Sequence, residues 1–388
     1  MIPLLRATLL AVALALPAQA QDFTARAQVT AAEIEAGRRG AALEIALSQP
    51  VPWRVFLKDA PWRLILDTSE IDWSGLPATE GVATGRVAPG WSRLVLSLDG
   101  PARIDRAWME TGEIGAIIHV RAEAGEGAPG PLIERGWDRV PQAVETPARP
   151  RQTGDRPLVV ALDPGHGGID PGAERGGTTE AVLMLRFARE LAEVLRREGH
   201  VVVLTRESDE FVGLRGRSAV ARAAGADLMI SLHADALDGG GADGASVYTL
   251  DAETGEGIAA ELAARQGRGD LLLGVELEDR GDEIAQVLID LARAETAPRA
   301  DALADALVAG IGAAGLNLHT RPRLGAEFTV LKAPDIPSVL LELGFMSDEG
   351  DLQNLLSPDW RARMATAIAR GIEAWAVADA AEALRLRR

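Results

Sequence analysis

Residues Leu158–Asp170 read Leu-Val-Val-Ala-Leu-Asp-Pro-Gly-His-Gly-Gly-Ile-Asp. Five apolar residues, rich in β-branched types, stop at Asp163-Pro164-Gly165, and a histidine flanked by glycines follows at once. A short continuous apolar run of this kind predicts a strand buried on both faces, as in a parallel sheet. Pro164 cannot extend the ladder, while Gly165, Gly167 and Gly168 open backbone angles closed to other residues. His166 is thus expected at the carboxyl end of a strand, on a loop able to pass close to a ligand. Open α/β sheets build their sites at that edge.

Strand and helix patterns then alternate downstream. Thr178-Thr179-Glu180 precedes a helical pattern through Glu198, with Leu183, Phe187, Leu191 and Val194 or Leu195 on one face and Gly199 as the stop. Val201–Leu204 reads as a second strand, Leu214–Ala224 as a helix, and Asp227–Leu232 as a third buried strand running into His233-Ala234-Asp235. Ser338–Leu341 leads into Glu342 at a further strand end. Such alternation predicts an α/β unit with a mostly parallel central sheet flanked by helices. A last helix is expected from Ser357 as N-cap and Pro358 as first residue, with Trp360, Met364, Ile368, Ile372 and Trp375 buried and Asp379–Arg388 fraying.

Upstream, Phe23 to Ala124 has period two, with strands around 43–47, 53–57, 63–67, 93–98 and 114–120 punctuated by Pro and Gly. This predicts an N-terminal all-β sandwich. Trp53, Trp62, Trp73, Trp91 and Trp108 cluster here; core packing is the expected role of most, with a sugar-stacking face as the alternative. His119 falls in an apolar strand and reads as a core or edge residue rather than a ligand. Residues 125–156, rich in Gly, Pro, Ala and charge, read as a linker on which Trp137 docks locally.

The first twenty residues carry a signal peptide: Arg6, an apolar core at Ala7–Leu16, and Ala18-Gln19-Ala20 before Gln21. Neither this core nor any later stretch is long enough for a transmembrane segment, so an exported, periplasmic protein is expected. A net charge of −17 argues against nucleic acid or anionic lipid as the main partner. The absence of cysteine excludes disulfides and thiolate metal sites, leaving His, Asp and Glu as metal donors.

His166, Glu180, His233 and Glu342 all fall at the same predicted rim. Two imidazoles and a carboxylate form the usual ligand set of a catalytic zinc, with a fourth position open. His166, Glu180 and His233 are therefore read as zinc ligands and Glu342 as the catalytic base. Asp235, two residues past His233, is a second-shell candidate. His200 and His319 lie at a helix end and in a loop and are left out. The spacing matches no short metalloprotease signature such as His-Glu-x-x-His.

In order and spacing, Asp163–Gly168, Glu180, Ser231–Asp235 and Glu342-Leu343-Gly344-Phe345-Met346-Ser347 resemble the N-acetylmuramoyl-L-alanine amidase family of zinc hydrolases. The resemblance covers roughly Pro157–Val377, within a catalytic domain read at 157–378, and implies the same roles for His166, Glu180, His233 and Glu342, with peptidoglycan as substrate. Leu343 stands where several relatives carry Thr, which leaves the carboxylate in place. Pro61–Asp67 and the strand spacing of residues 23–124 resemble the AMIN domain, a β-sandwich that localises cell-wall enzymes. Together these features resemble the periplasmic branch that acts in cell division.

Between residues 251 and 296 lies an acidic insertion whose helix carries Ile284, Val287, Leu288 and Leu291 on one face. Such a stripe ordinarily packs into a core. In the branch resembled, the corresponding segment covers the active site until an activator protein displaces it. The resemblance therefore implies an autoinhibitory plug, with Asp282 or Glu283 reaching the metal's open position and Ile284, Val287 and Leu288 seating the helix. The rival readings are a catalytically inactive peptidoglycan-binding scaffold and a zinc carboxypeptidase acting on the stem peptide.

Overall fold

The computed structural model describes residues 26–59, 61–88, 90–112, 115–125, 133–135, 150–237, 242–251, 259, 261–263 and 283–386. The stretch read as a signal peptide, Trp137, Asp282 and most of the 251–296 insertion lie outside the described residues, as do the side chains of 283–292.

The N-terminal strands are β1 (Ala27–Gly37), β2 (Gly40–Leu47), β3 (Trp53–Lys58), β4 (Arg63–Ser69), β5 (Ile71–Asp72), β6 (Val82–Ala88), β7 (Trp91–Ser97), β8 (Ala102–Thr111), β9 (Ala116–Ala124) and β10 (Ile133–Arg135). They form two five-stranded sheets, ordered β5-β1-β2-β9-β8 and β10-β3-β4-β7-β6. Alternation puts Leu43, Ile45, Trp53, Val55, Leu64, Leu66, Leu94, Leu96, Ile118 and Val120 into one core between them. Trp53 is fully buried, and Trp62 and Trp73 pack at the edge of this core. Trp108 instead stacks on His119 with ring centroids 4.5 Å apart, and Arg106 covers the indole. β10 falls within the stretch read as linker, because Ile133–Arg135 pairs with β3 and extends its sheet.

The C-terminal elements are β11 (Val159–Pro164), β12 (Glu174–Arg175), β13 (Thr178–Thr179), α1 (Glu180–Arg197), β14 (Val201–Leu204), α2 (Leu214–Ala223), β15 (Leu228–His233), β16 (Ala245–Leu250), α3 (Glu283–Ala313), β17 (Leu318–Ala326), β18 (Ser338–Glu342), α4 (Glu349–Leu356) and α5 (Pro358–Leu386). Six strands form one sheet in the order β14-β11-β15-β18-β16-β17. The first four are parallel; β16 runs antiparallel to β18, and β17 parallel to β16. The sheet is mostly parallel, with its reversed pair at one edge. Leu183, Phe187 and Leu191 of α1, Leu303, Leu307 and Ile311 of α3, and Met364, Ile368, Ile372 and Trp375 of α5 pack with strand residues Val160, Leu162, Leu228, Ile230 and Val339 in one core. Ala221 of α2 packs with Met229, Tyr248, Phe328 and Leu340 in another.

Two boundaries differ from the sequence reading. The last helix does not fray at Asp379 but continues to Leu386, because Asp379 is a buried anchor. Its carboxylate accepts hydrogen bonds from Arg151 (2.8 Å), Gln152 (2.9 Å) and Arg299 (2.8 Å). Arg151 and Gln152, read as linker, therefore belong to the packed C-terminal unit. The helix read in the insertion does not end near residue 296 either. It continues as α3 to Ala313, and its later turns sit in the core.

Candidate metal centre

Four strand and helix ends meet at one rim. β11 delivers His166 just beyond Pro164, and β15 ends in His233. β18 ends in Glu342, which lies directly across the parallel ladder from His233. Glu180 is the first residue of α1, whose N-cap Thr179 accepts from the Val182 amide through its side chain. A carboxylate in this first turn also meets the positive end of the helix dipole.

These groups converge closely. The Nε2 of His166 lies 3.2 Å from Glu180 Oε2, and the Nδ1 of His233 lies 2.9 Å from Glu180 Oε1. Donor atoms of His166, Glu180 and His233 all fall within 4.8 Å of one another. Two ligands on a tetrahedral zinc, at bonds of about 2.0–2.1 Å, stand about 3.3 Å apart, so the spacing suits such an ion. The His166 Nε2 is buried with no hydrogen-bond partner, as a nitrogen reserved for a metal would be. Glu180 is itself fixed by the Ala234 amide at Oε1 (3.0 Å) and the Ala173 amide at Oε2 (3.1 Å).

The electrostatics of the cluster centre on the buried Glu180 carboxylate. Burial opposes protonation of His166, yet the Glu180 carboxylate and the hydrogen bond with Asp170 outweigh it and raise the pKa to about 10. Burial works against ionised Glu180 too, but His166 and His233 hold it well below the usual carboxylate range. Burial lowers His233, against the pull of Glu180. Glu342, fully enclosed, is pushed well above the usual range by burial and then by the charges of Glu180 and Asp235. One of its oxygens accepts the Asp235 amide at 3.2 Å, and the other is buried without a partner. A carboxylate so raised is suited to taking up a proton.

Asp235 thus meets the site through its backbone N–H on Glu342. Its side-chain Oδ1 accepts the amide of Ala236 at 2.7 Å. The residue on a histidine is Asp170, not singled out by sequence: its Oδ2 lies 2.9 Å from His166 Nδ1. A carboxylate there fixes the ring and its tautomer and leaves Nε2 for a metal. Its place four residues after His166 in a glycine loop was the available signal.

Two buried arginines, also unmarked by sequence reasoning, hold the loop. Arg206 donates to the carbonyls of Pro164 (2.9 Å), Gly165 (2.8 Å) and Ala181 (2.8 Å). Arg217 donates to Asp163 Oδ1 and to the carbonyls of Pro164 and His166, each at 2.8 Å. Asp163 further accepts from Thr205 and Ser231 hydroxyls at 2.5 and 2.6 Å. His166 needs this support: at φ 59° it is the only non-glycine with positive φ among the described residues. Gly165 must remain glycine, since a Cβ there would lie 2.3 Å from the His233 ring.

His200 and His319 stand outside this cluster. His200 Nε2 lies 2.5 Å from Glu373, and with Glu198 these form a second, more exposed group of possible donors. His319 hydrogen-bonds locally with Arg321. Asp282 and the side chains of Glu283, Ile284, Val287 and Leu288 lie outside the described residues.

A family model described as N-acetylmuramoyl-L-alanine amidase matches residues 160–374. The chain is 38% identical over 216 residues to N-acetylmuramoyl-L-alanine amidase AmiA of Escherichia coli, covering 55% of this chain and 74% of that protein. It is 30% identical over 385 residues to AmiC of Neisseria meningitidis, covering 92% of each chain. The solved structure of amidase AmiC2 of Nostoc punctiforme matches at a TM-score of 0.41 and 28% identity, over 56% of this chain and 96% of that one.

Proposed function

The chain belongs to the N-acetylmuramoyl-L-alanine amidase family, and from that premise we propose an exported zinc hydrolase that cleaves the bond between muramic acid and L-alanine in peptidoglycan. The observation that carries the zinc reading is the convergence of His166, Glu180 and His233, with the enclosed carboxylate of Glu342 on the adjoining strand end.

His166, Glu180 and His233 would hold the ion, with Asp170 orienting the His166 ring. Zinc in such a site supplies Lewis-acid polarisation of a carbonyl and makes water acidic enough to lose a proton near pH 7. Glu342, enclosed beside the site, would accept a proton from the attacking water and pass it to the departing alanine nitrogen, so that the leaving group departs as an amine. The Asp235 amide keeps one Glu342 oxygen in place and leaves the other for this transfer.

The export signal at residues 1–20 suits a periplasmic enzyme of cell-wall remodelling and daughter-cell separation. The insertion at 251–296 suits autoinhibition relieved by an activator protein, with Asp282, Glu283, Ile284, Val287 and Leu288 forming the plug. Among the described residues no helix is long and apolar enough to cross a membrane.

Mass spectrometry of purified peptidoglycan digested with the zinc-loaded protein tests the reaction. Free stem peptides beginning at L-alanine are expected. Stem peptides trimmed at the carboxyl end would identify a carboxypeptidase, and an unaltered polymer under activated conditions a scaffold.

A further inference from the structure

The sandwich does more than sit beside the C-terminal unit. Phe211, in the loop before α2, is buried, and its buried partners are Ile65 of β4 and Val95 of β7. Phe56, Ala83 and Val87 of the sandwich and Ile169 of the His166 loop close around them. Ile65 and Val95 point away from the sandwich core that takes Leu64, Leu66, Leu94 and Leu96. The outer face of this sheet is therefore covered by Phe211. A backbone link adds to it: the Arg86 amide donates to the Phe211 carbonyl (2.8 Å), and the Gly213 amide donates to the Arg86 carbonyl (2.9 Å). The Arg86 guanidinium also donates to the Thr205 carbonyl at 2.5 Å.

The clamped loop is the one that braces the ligand loop. Asp209 accepts the Gly168 amide at 2.9 Å. The Glu210 carbonyl and the Phe211 amide press so closely on Gly167 and Gly168 that a Cβ would lie 2.4 and 2.6 Å from them. Arg217 ties the Val212 carbonyl (2.9 Å) to the His166 carbonyl (2.8 Å). Phe211 and Val212 line a water-sized space of about 10 Å³ together with Asp170, His166 and His233. His166 sits in a left-handed conformation that only its surroundings maintain.

We propose that the N-terminal sandwich is a positioning element of the metal centre, acting through Arg86, Ile65 and Val95 on Phe211, and through that loop on His166. This rests on the zinc reading above. Undocking would expose Phe211 and Ile169 to water, release the 208–213 loop and let His166 relax from its strained backbone. The sandwich then serves the site whatever else it binds. Arg86 and Phe211 are positioning residues; the ligands remain His166, Glu180 and His233.

The test uses the full chain with Ile65→Asp and Val95→Asp combined, which charges the outer face and leaves the sandwich core intact. Zinc affinity is measured by competition with a chelator, and docking by small-angle scattering. The expected result is a larger radius of gyration and zinc binding weaker by about tenfold or more, the range seen when outer-shell support is lost. Phe211→Ala should weaken zinc similarly from the other side of the contact, and Phe211→Leu should restore most of it; these two decide the matter if the double variant misfolds. An undocked variant binding zinc within twofold of the parent would overturn the proposal, as would a variant that stays docked. A parent chain that binds no zinc would instead refute the zinc reading and is recognised before any variant is made.

Discussion

Glu180 and His233 face each other with 2.9 Å between Oε1 and Nδ1, the first residue of a helix meeting the last residue of a strand. Neither can retreat: Glu180 is wholly buried, its oxygens held by two backbone amides, and His233 sits between neighbouring strands of a sheet. Burying such groups costs free energy, and Glu180 faces both imidazoles at once, an arrangement suited to a shared metal ion.

Removing the Asp170 carboxylate tests the support of His166. Asp170→Ala is expected to weaken zinc binding by about 10–100-fold without unfolding the chain. Asp170→Asn, which still offers an acceptor to Nδ1, should recover most of that loss. Equal affinity in the alanine variant, measured by chelator competition, would show that the ring is held by other means.

Glu342→Gln separates metal binding from chemistry. The amide has the size of the acid and no basic oxygen, so zinc content should be unchanged. Peptidoglycan hydrolysis should fall by about 10²–10⁴-fold, the usual contribution of a general acid–base group. A variant within a few-fold of the parent assigns the proton transfer elsewhere.

Gly165→Ala introduces one methyl group 2.3 Å from the His233 ring carbon. The ring lies at the end of an interior strand among buried groups and has no room to withdraw. Zinc should be lost, and thermal unfolding should move to lower temperature. Retention of both would mean that the β11 end is free to shift.

The Asp379 anchor is tested by Asp379→Ala. It would leave the partly buried Arg151 and Arg299 and the buried Gln152 without their shared acceptor, at a cost of about 3 kcal/mol. Denaturant titration should register the loss. A change under about 0.5 kcal/mol would place residues beyond 378 outside the cooperative unit, as ordinary surface positions are.

Regulation is tested on the insertion. Replacing Ile284, Val287 and Leu288 together with polar residues should raise basal hydrolysis severalfold if this stripe seats a plug over the site. A folded, zinc-loaded triple variant with unchanged basal activity would make the helix purely structural.

Much of the site was legible because strand ends are loud in sequence. The run Leu158–Leu162 before Asp-Pro-Gly and the run Leu228–Leu232 before His233 each announce a buried parallel strand and its carboxyl end. Supporting residues are quiet. Arg206 and Arg217 act on backbone carbonyls reached only through the fold, so no spacing marks them, and Asp170 offers only its place four residues after His166. β1 and β8 went unread because few of their residues are buried: β1 is rich in Ala, β8 in charge, and neither alternates strongly. The docking face had a signal of its own: Leu64-Ile65-Leu66 is continuous rather than alternating, as befits a strand buried on both sides. Asp379 was missed because a polar residue in an Ala- and Arg-rich tail reads as solvent-facing until its partners are known.

The central claim is that His166, Glu180 and His233 together hold one zinc ion, and anomalous scattering at the zinc absorption edge from crystals of the full chain tests it most directly. The expected result is a peak about 2.0–2.1 Å from ligand atoms of all three residues. No peak there in protein shown to contain zinc, or a peak only at the Glu198–His200–Glu373 group, would contradict it.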